Sequence, residues 1–318
     1  MVPIAPPLGR LAPSPSGRLH LGHAHTFVLA WAHVRSRGGR LCLRLEDLDS
    51  TRCRPEYVRG VLDDLEWLGL DWDGPVLFQS QRLEALRAAA ERLVDSGAAY
   101  PCVCTRAELE NAQSAPQRGV EEFRYPGTCR HRFESSAARA EARARPHALR
   151  FRVPEGAIAF WDGIAGARSF DVSADVGDFV ISNRAFVPAY QLAVVVDDAE
   201  QGVNEVFRGD DLLSSTPRQI ALQRALGLAE PAWFHAPLVL DAAGRRLAKR
   251  SDDLSLTELR QAGVDPRAIL GWVAASAGMA AGARVSADDL CRGFELRLLS
   301  RTPTLLSDLV LAELRAAR

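Results

Sequence analysis

The chain has 318 residues, 47% apolar and 25% charged, the balance of a soluble globular protein, and is long enough for two or three packed domains. A formal net charge of −1 excludes a uniformly basic polyanion binder, so a nucleic-acid partner would have to meet a local basic surface. No run approaches the ~20 apolar residues of a membrane span, and six dispersed cysteines predict reduced thiols rather than a disulfide frame.

The opening "MVPIAPP" lacks the basic and apolar regions of a signal peptide, which together with the cysteines predicts a cytoplasmic protein without a membrane partner. "GRLA" (9–12) reads as a short buried strand, and "LHLGHAHTFVLAWAHVRSRG" (19–38) as a helix closed by Gly38. "RLCLRLEDLD" (40–49) alternates as a strand, and "PEYVRGVLDDLEWLGL" is a helix with Pro55 in its first turn. "VLF" predicts a third strand, and Ser80 an N-cap for the helix "QRLEALRAAAERLVDSG". This alternation is the rhythm of a parallel doubly wound sheet, an α/β fold.

Between residues 100 and 184 the rhythm breaks into what reads as a small mixed insertion. It carries a cysteine pair, an arginine cluster and the alternating stretches "ALRFRV", "IAFWDG" and "DFVIS". "YQLAVVVDD" (190–198) then reads as a continuous apolar strand, as in a sheet buried on both faces. "EVFRGDDLL" and a helix from "SSTPRQIALQRALG" follow. From residue 252 the pattern is helical through "LSLTELRQAG", "DPRAILGWVAASAG", "SADDLCRGF" and "TLLSDLVLAELRAA". The expected division is 1–99 and 185–251 for two halves of a Rossmann catalytic domain, 100–184 for the insertion, and 252–318 for a small helical domain.

Three clusters carry chemistry. Four of the seven histidines (His20, His23, His25, His33) crowd the start of the first long helix, after a loop rich in proline, serine and glycine. Free amides and the positive dipole end make such a helix start an anion site, Gly22 permits close approach, and His20 and His23 can donate to one phosphate. Residues 130–152 hold seven arginines against two glutamates, a candidate nucleic-acid surface. "CVC" (102–104) and "YPGTC" (125–129) supply three thiols and a phenol, and Cys102 and Cys104 are spaced to close a chelate on zinc.

"HLGH" (20–23) resembles the HIGH signature of class I aminoacyl-tRNA synthetases, and the preceding "RLAPSPSG" is similar to the glutamyl version, "RFAPSPTG". "RLAKR" (246–250) is similar to the second signature, KMSKS, in its glutamyl form "KLSKR". Arg246 replaces the first lysine and Ala248 the serine, which removes a hydroxyl from the ATP-closing loop. Of 39 basic residues, 38 are arginine and one, Lys249, is lysine, and it falls in this motif, where a compact ammonium is not interchangeable with a guanidinium. "RLEDLD", "AYQLAVVVDD" and "RGDDLLSSTPRQ" match the same family in order and spacing.

The resemblance implies a class I synthetase-type Rossmann fold and adenylation of glutamate by ATP with Mg²⁺. It implies His20, Gly22, His23 and Lys249 on ATP, with His20, His23 and Lys249 catalytic. Glutamate would be held by Arg10, Leu11, Ala12, Pro13, Ser14, Glu46, Tyr190 and Arg208. A branch of the family binds structural zinc through Cys-x-Cys and Tyr-x-x-x-Cys, which maps onto Cys102, Cys104, Tyr125 and Cys129, with His131 an alternative to Tyr125. Only 68 residues follow Arg250, where full-length relatives carry a large anticodon-binding domain. The chain therefore resembles the truncated branch, the glutamyl-queuosine tRNA(Asp) synthetases, whose partners are ATP, L-glutamate and tRNA(Asp) carrying queuosine, with no obligate protein partner evident. A short glutamyl-tRNA synthetase charging an ordinary acceptor end is the alternative.

Overall fold

The computed structural model describes residues 6–111, 124–247, 255–280 and 282–318. Strands Leu8–Leu11, Arg40–Leu45 and Leu77–Phe78 pair in parallel in that order. Leu41, Leu43, Arg44 and Leu45 are all fully buried, as expected of a strand covered on both faces. Helix Leu21–Arg35 crosses over between the first two strands and packs so closely that a Cβ on Gly9 would lie 2.7 Å from a Val34 methyl. Asn204 seats strand Glu205–Gly209 against the first strand by exchanging hydrogen bonds with Leu8, at 3.0 and 2.8 Å. Strand Ala232–Ala236 continues the sheet in parallel beyond it, reached through helix Thr216–Leu226.

The hairpin Ile158–Asp162/Gly166–Phe170 extends this sheet, its first strand parallel to Ala232–Ala236 through the pair Asp162↔Trp233. A separate antiparallel sheet, Ala99–Cys102, Ala148–Phe151 and Val180–Ser182, carries the cysteines. The C-terminal helices Leu256–Gln261 and Pro266–Ser276 bury Leu256, Ile269, Val273 and Ala274 in the same core as Val28, Leu29 and Leu43. Among the described residues no helix is long and apolar enough to cross a membrane.

Three local expectations are corrected. Residues 190–198 are not a strand: Tyr190–Glu200 is a helix. Its apolar face is broad because Leu192, Val194 and Val195 pack into one core, while Asp197 and Asp198, on the same helix, are buried in ion pairs. A short apolar run does not distinguish a buried strand from a buried helix, and burial of nearly the whole circumference erases the period. Ser80 does not cap the next helix: its amide and hydroxyl both donate to Asp47, at 2.8 and 2.6 Å, and a 3₁₀ turn, Gln79–Arg82, leads into Leu83–Asp95. "TLL" is a strand, Thr304–Leu306, parallel to Val239–Asp241, and the last helix starts after it at Asp308 with Ser307 as its cap.

Candidate active site and metal centre

The first strand ends at Leu11, and the loop that follows delivers His20 to the start of helix Leu21–Arg35. His20 is the N-cap, with extended backbone, rather than a helical residue on one face with His23. The two rings still meet, stacked with centroids 3.7 Å apart, through a reciprocal capping box. His20 Nδ1 accepts from the Gly22 amide at 3.1 Å, and His23 Nδ1 accepts from the His20 amide at 3.2 Å. Because each Nδ1 is an acceptor, the proton of each neutral imidazole sits on Nε2. The cap thus turns both rings into Nε2–H donors at the positive end of a helix dipole, the polarity an anion requires. A Cβ on Gly22 would lie 3.0 Å from the His20 ring.

Lys249, with Ala248 and Arg250, lies outside the described residues. Both flanks of that segment converge on the histidines. Leu247 approaches Gly22, Ser255 forms a β-bridge with His20, and the Leu256 amide donates to the Leu19 carbonyl at 2.8 Å. Arg246 pairs with Asp211 at 2.6 Å. His20 also lines an open groove of about 790 Å³, with Ser16, Arg18, Arg59 and Arg260 on its walls.

The amino-acid-binding candidates gather around one buried carboxylate. Asp198 lies 2.6 Å from Arg44 and 3.4 Å from Arg10, and these guanidiniums outweigh its burial and hold its carboxyl below the ordinary range. Arg44 also pairs with Glu46 at 3.3 Å, while burial pushes the Glu46 carboxyl up. The Glu46 amide donates to the Pro13 carbonyl, which ties the first loop to the second strand. Of that loop, Leu11 is in the core, Ala12 is half-buried, and Ser14 is exposed. Tyr190 opens the helix that carries Asp198, and burial raises its phenol.

Arg208 is 4% exposed and its guanidinium is gripped by neutral groups: His235 at 2.9 Å, Gln219 at 2.8 Å, Thr216 at 2.9 Å and the Leu212 carbonyl at 3.3 Å. Sequence reasoning assigned no role to Arg44, Asp198 or His235. The available signal was an arginine standing among leucines in "LCLRLE" and a double aspartate closing an apolar run.

The cysteine cluster assembles as the family resemblance implied. The sulfurs of Cys102, Cys104 and Cys129 all lie within 4.8 Å of one another. The Tyr125 hydroxyl is 3.5 Å from Cys102 and 3.7 Å from Cys104, and Cys104 is 3.4 Å from Cys129. Zn–S bonds of about 2.3 Å in a tetrahedron put ligand atoms roughly 3.8 Å apart, so the donor set fits a structural zinc. Hydrogen bonds from Cys129, Tyr125 and Arg150 pull the Cys102 thiol down to about 4, against its burial. His131 is exposed and bonds instead to Glu134 at 2.7 Å.

Several arginines of 130–152 have structural partners rather than a free basic face. Arg150 stacks on the Tyr125 ring at 3.7 Å and donates to Cys102, Arg152 covers Tyr100, and Arg130 pairs with Asp178. Arg143 and Arg145 pair with Glu91 and Glu141.

Comparison with known proteins places this geometry in context. The family described as "tRNA synthetases class I (E and Q), catalytic domain" matches residues 8–306. A glutamyl-Q tRNA(Asp) synthetase from Nitratidesulfovibrio vulgaris is 48% identical over 280 residues, 85% of this chain and 86% of that one. A glutamate–tRNA ligase from Synechococcus sp. is 42% identical over 83% of this chain, which spans 56% of the ligase. The crystal structure of a glutamate tRNA ligase from Elizabethkingia meningosepticum with its amino acid superposes with a TM-score of 0.83, at 26% identity, over 96% of this chain and 68% of that one.

The other two histidines of the first cluster belong to the core. His25 Nε2 lies 2.9 Å from Ser276 Oγ, which spends its own proton on the Val273 carbonyl, and burial lowers the His25 pKa to about 4. A histidine held neutral takes up its proton on unfolding, so its contribution is full above the ordinary pKa of about 6.5 and is lost as pH falls toward 4. The stability advantage of the protein over a His25→Gln variant should therefore shrink by about 2 kcal/mol between pH 7 and pH 5 in urea unfolding. A difference independent of pH would show that His25 is not held neutral.

Proposed function

Because the chain belongs to the class I tRNA synthetases for glutamate and glutamine, and within them to the glutamyl-Q tRNA(Asp) synthetases, we propose that it activates L-glutamate with ATP and transfers it to queuosine in the anticodon of tRNA(Asp). The observation that carries this reading is a buried cluster of guanidiniums in which Arg208, among the described residues, is hydrogen-bonded only to neutral groups. Three guanidiniums, Arg10, Arg44 and Arg208, stand against the carboxylates of Glu46 and Asp198. Glutamate offers these guanidiniums two carboxylates, where glutamine offers one carboxylate and a neutral amide. Glu46 suits the ammonium, and an arginine can take a carboxylate through two parallel hydrogen bonds.

In the first step a glutamate α-carboxylate oxygen attacks the α-phosphorus of ATP, the bond to the bridging oxygen breaks, and pyrophosphate leaves. Mg²⁺, when bound, would add charge stabilisation to the phosphates. No protein nucleophile is needed, so catalysis consists of positioning and charge stabilisation. The Nε2–H groups of His20 and His23 donate to the phosphate, Gly22 admits it to the helix start, and Lys249 stabilises the departing pyrophosphate. In the second step a hydroxyl of queuosine's cyclopentene ring attacks the glutamyl carbonyl and AMP leaves. The higher identity to the glutamyl-Q relative than to the ligase supports this acceptor over a terminal ribose.

Zinc, held by Cys102, Cys104, Tyr125 and Cys129, would brace the antiparallel sheet rather than enter the chemistry. Purified protein should contain one zinc per chain, and Cys102→Ser/Cys104→Ser should lose it together with thermal stability. Substoichiometric zinc in reduced protein would overturn the assignment.

The activity itself is tested by ATP–pyrophosphate exchange without any tRNA. Glutamate should support exchange, and glutamine should fall at least about 10²-fold lower in kcat/KM, because an amide forfeits the charge-assisted pair. Equal rates with glutamine would contradict the pocket.

A further inference from the structure

Arg208 shares a register position with His235 on the neighbouring parallel strand, and Asp162 comes from the strand beyond. All three side chains are buried. A guanidinium only donates, so His235 Nε2, 2.9 Å from Arg208 Nε, must be an acceptor. Its proton then sits on Nδ1, 2.5 Å from Asp162 Oδ2. The other Asp162 oxygen accepts from the backbone amides of Ile164, Ala165 and His235, at 2.9, 2.7 and 3.3 Å, which leaves the carboxylate one orientation. On the opposite side of Arg208, Gln219 is oriented in the same way. Its amide donates to Gln191, and Gln191 donates to Ser215, so the Gln219 oxygen faces the guanidinium.

The geometry points to Asp162 and His235 as positioning residues: Asp162 fixes His235 as the Nδ1–H tautomer, and His235 holds the Arg208 guanidinium ready for a substrate carboxylate. This rests on the reading of Arg208 as part of the glutamate pocket. A carboxylate bonded directly to Arg208 would compete with the substrate. An imidazole orients the guanidinium equally well while leaving its charge for the ligand.

The test uses the tautomer. In Asp162→Asn the oxygen stays on the three backbone amides, so the new NH₂ faces His235 Nδ1 and forces the proton to Nε2, donor against donor at Arg208. Glutamate KM in pyrophosphate exchange should rise ~10–100-fold, with ATP KM within about twofold. His235→Asn keeps a donor toward Asp162 but loses the acceptor and should behave alike. His235→Gln places a carbonyl oxygen near the lost Nε2 and should recover glutamate KM to within a few-fold of the wild type. Nitrogen NMR of the wild type should show His235 as Nδ1–H, a readout that needs no variant to fold. An Nε2–H tautomer there, or unchanged glutamate KM in Asp162→Asn, would overturn the inference. If the wild type shows no glutamate-dependent exchange, the activity reading fails, and the tautomer alone still decides whether His235 holds Arg208.

Discussion

The site depends on one buried carboxylate. Asp198 joins Arg10 on the first strand to Arg44 on the second, and it reaches both from a helix more than 150 residues away in sequence. Removing it would leave two guanidiniums buried without their nearest counter-charge, a change that typically costs about 3–5 kcal/mol. Because the anchors sit on a packed parallel sheet, the pocket's charges are set by the fold before any ligand arrives, which is the preorganisation that electrostatic catalysis requires.

The proposed phosphate end is organised by a different set of hydrogen bonds. The cap that satisfies the orphan amides of helix Leu21–Arg35 uses the Nδ1 atoms of His20 and His23, and so sets both tautomers. In the proposed reaction, helix stability and phosphate chemistry draw on the same two side chains. The flanks of the segment bearing Lys249 are anchored here as well, through Leu247 against Gly22 and Ser255 against His20. Leu247 and Ser255, more than 220 residues along the chain from the first signature, therefore lie at the same helix start.

Much of this was legible in the sequence. The histidine-rich loop marked the helix N-terminus, and the resemblance carried by Cys-x-Cys and Tyr-x-x-x-Cys anticipated a cluster that the fold assembles. What escaped was non-local. Residues 190–198 read as a strand because a helix buried around most of its surface loses the 3.6-residue period. Of the arginines of 130–152, Arg132, Arg143 and Arg145 are exposed as a surface patch would have them, but Arg150 stacks on Tyr125 and Arg130 pairs with Asp178, contacts that depend on strands and loops brought together only by folding. His235 carried no signal at all: its role comes from register with Arg208 across a parallel ladder, which no local pattern encodes.

The account joins a glutamate-activating site to an acceptor other than a terminal ribose, and the most direct measurement is where the glutamate ends up. Protein, ATP and radiolabelled glutamate would be incubated with queuosine-containing tRNA(Asp), with the same tRNA lacking queuosine, and with tRNA(Glu). The products would then be cut by nuclease into anticodon and acceptor fragments. The account predicts label on the anticodon fragment of queuosine-containing tRNA(Asp) alone. Label on the acceptor end of tRNA(Glu) would contradict it.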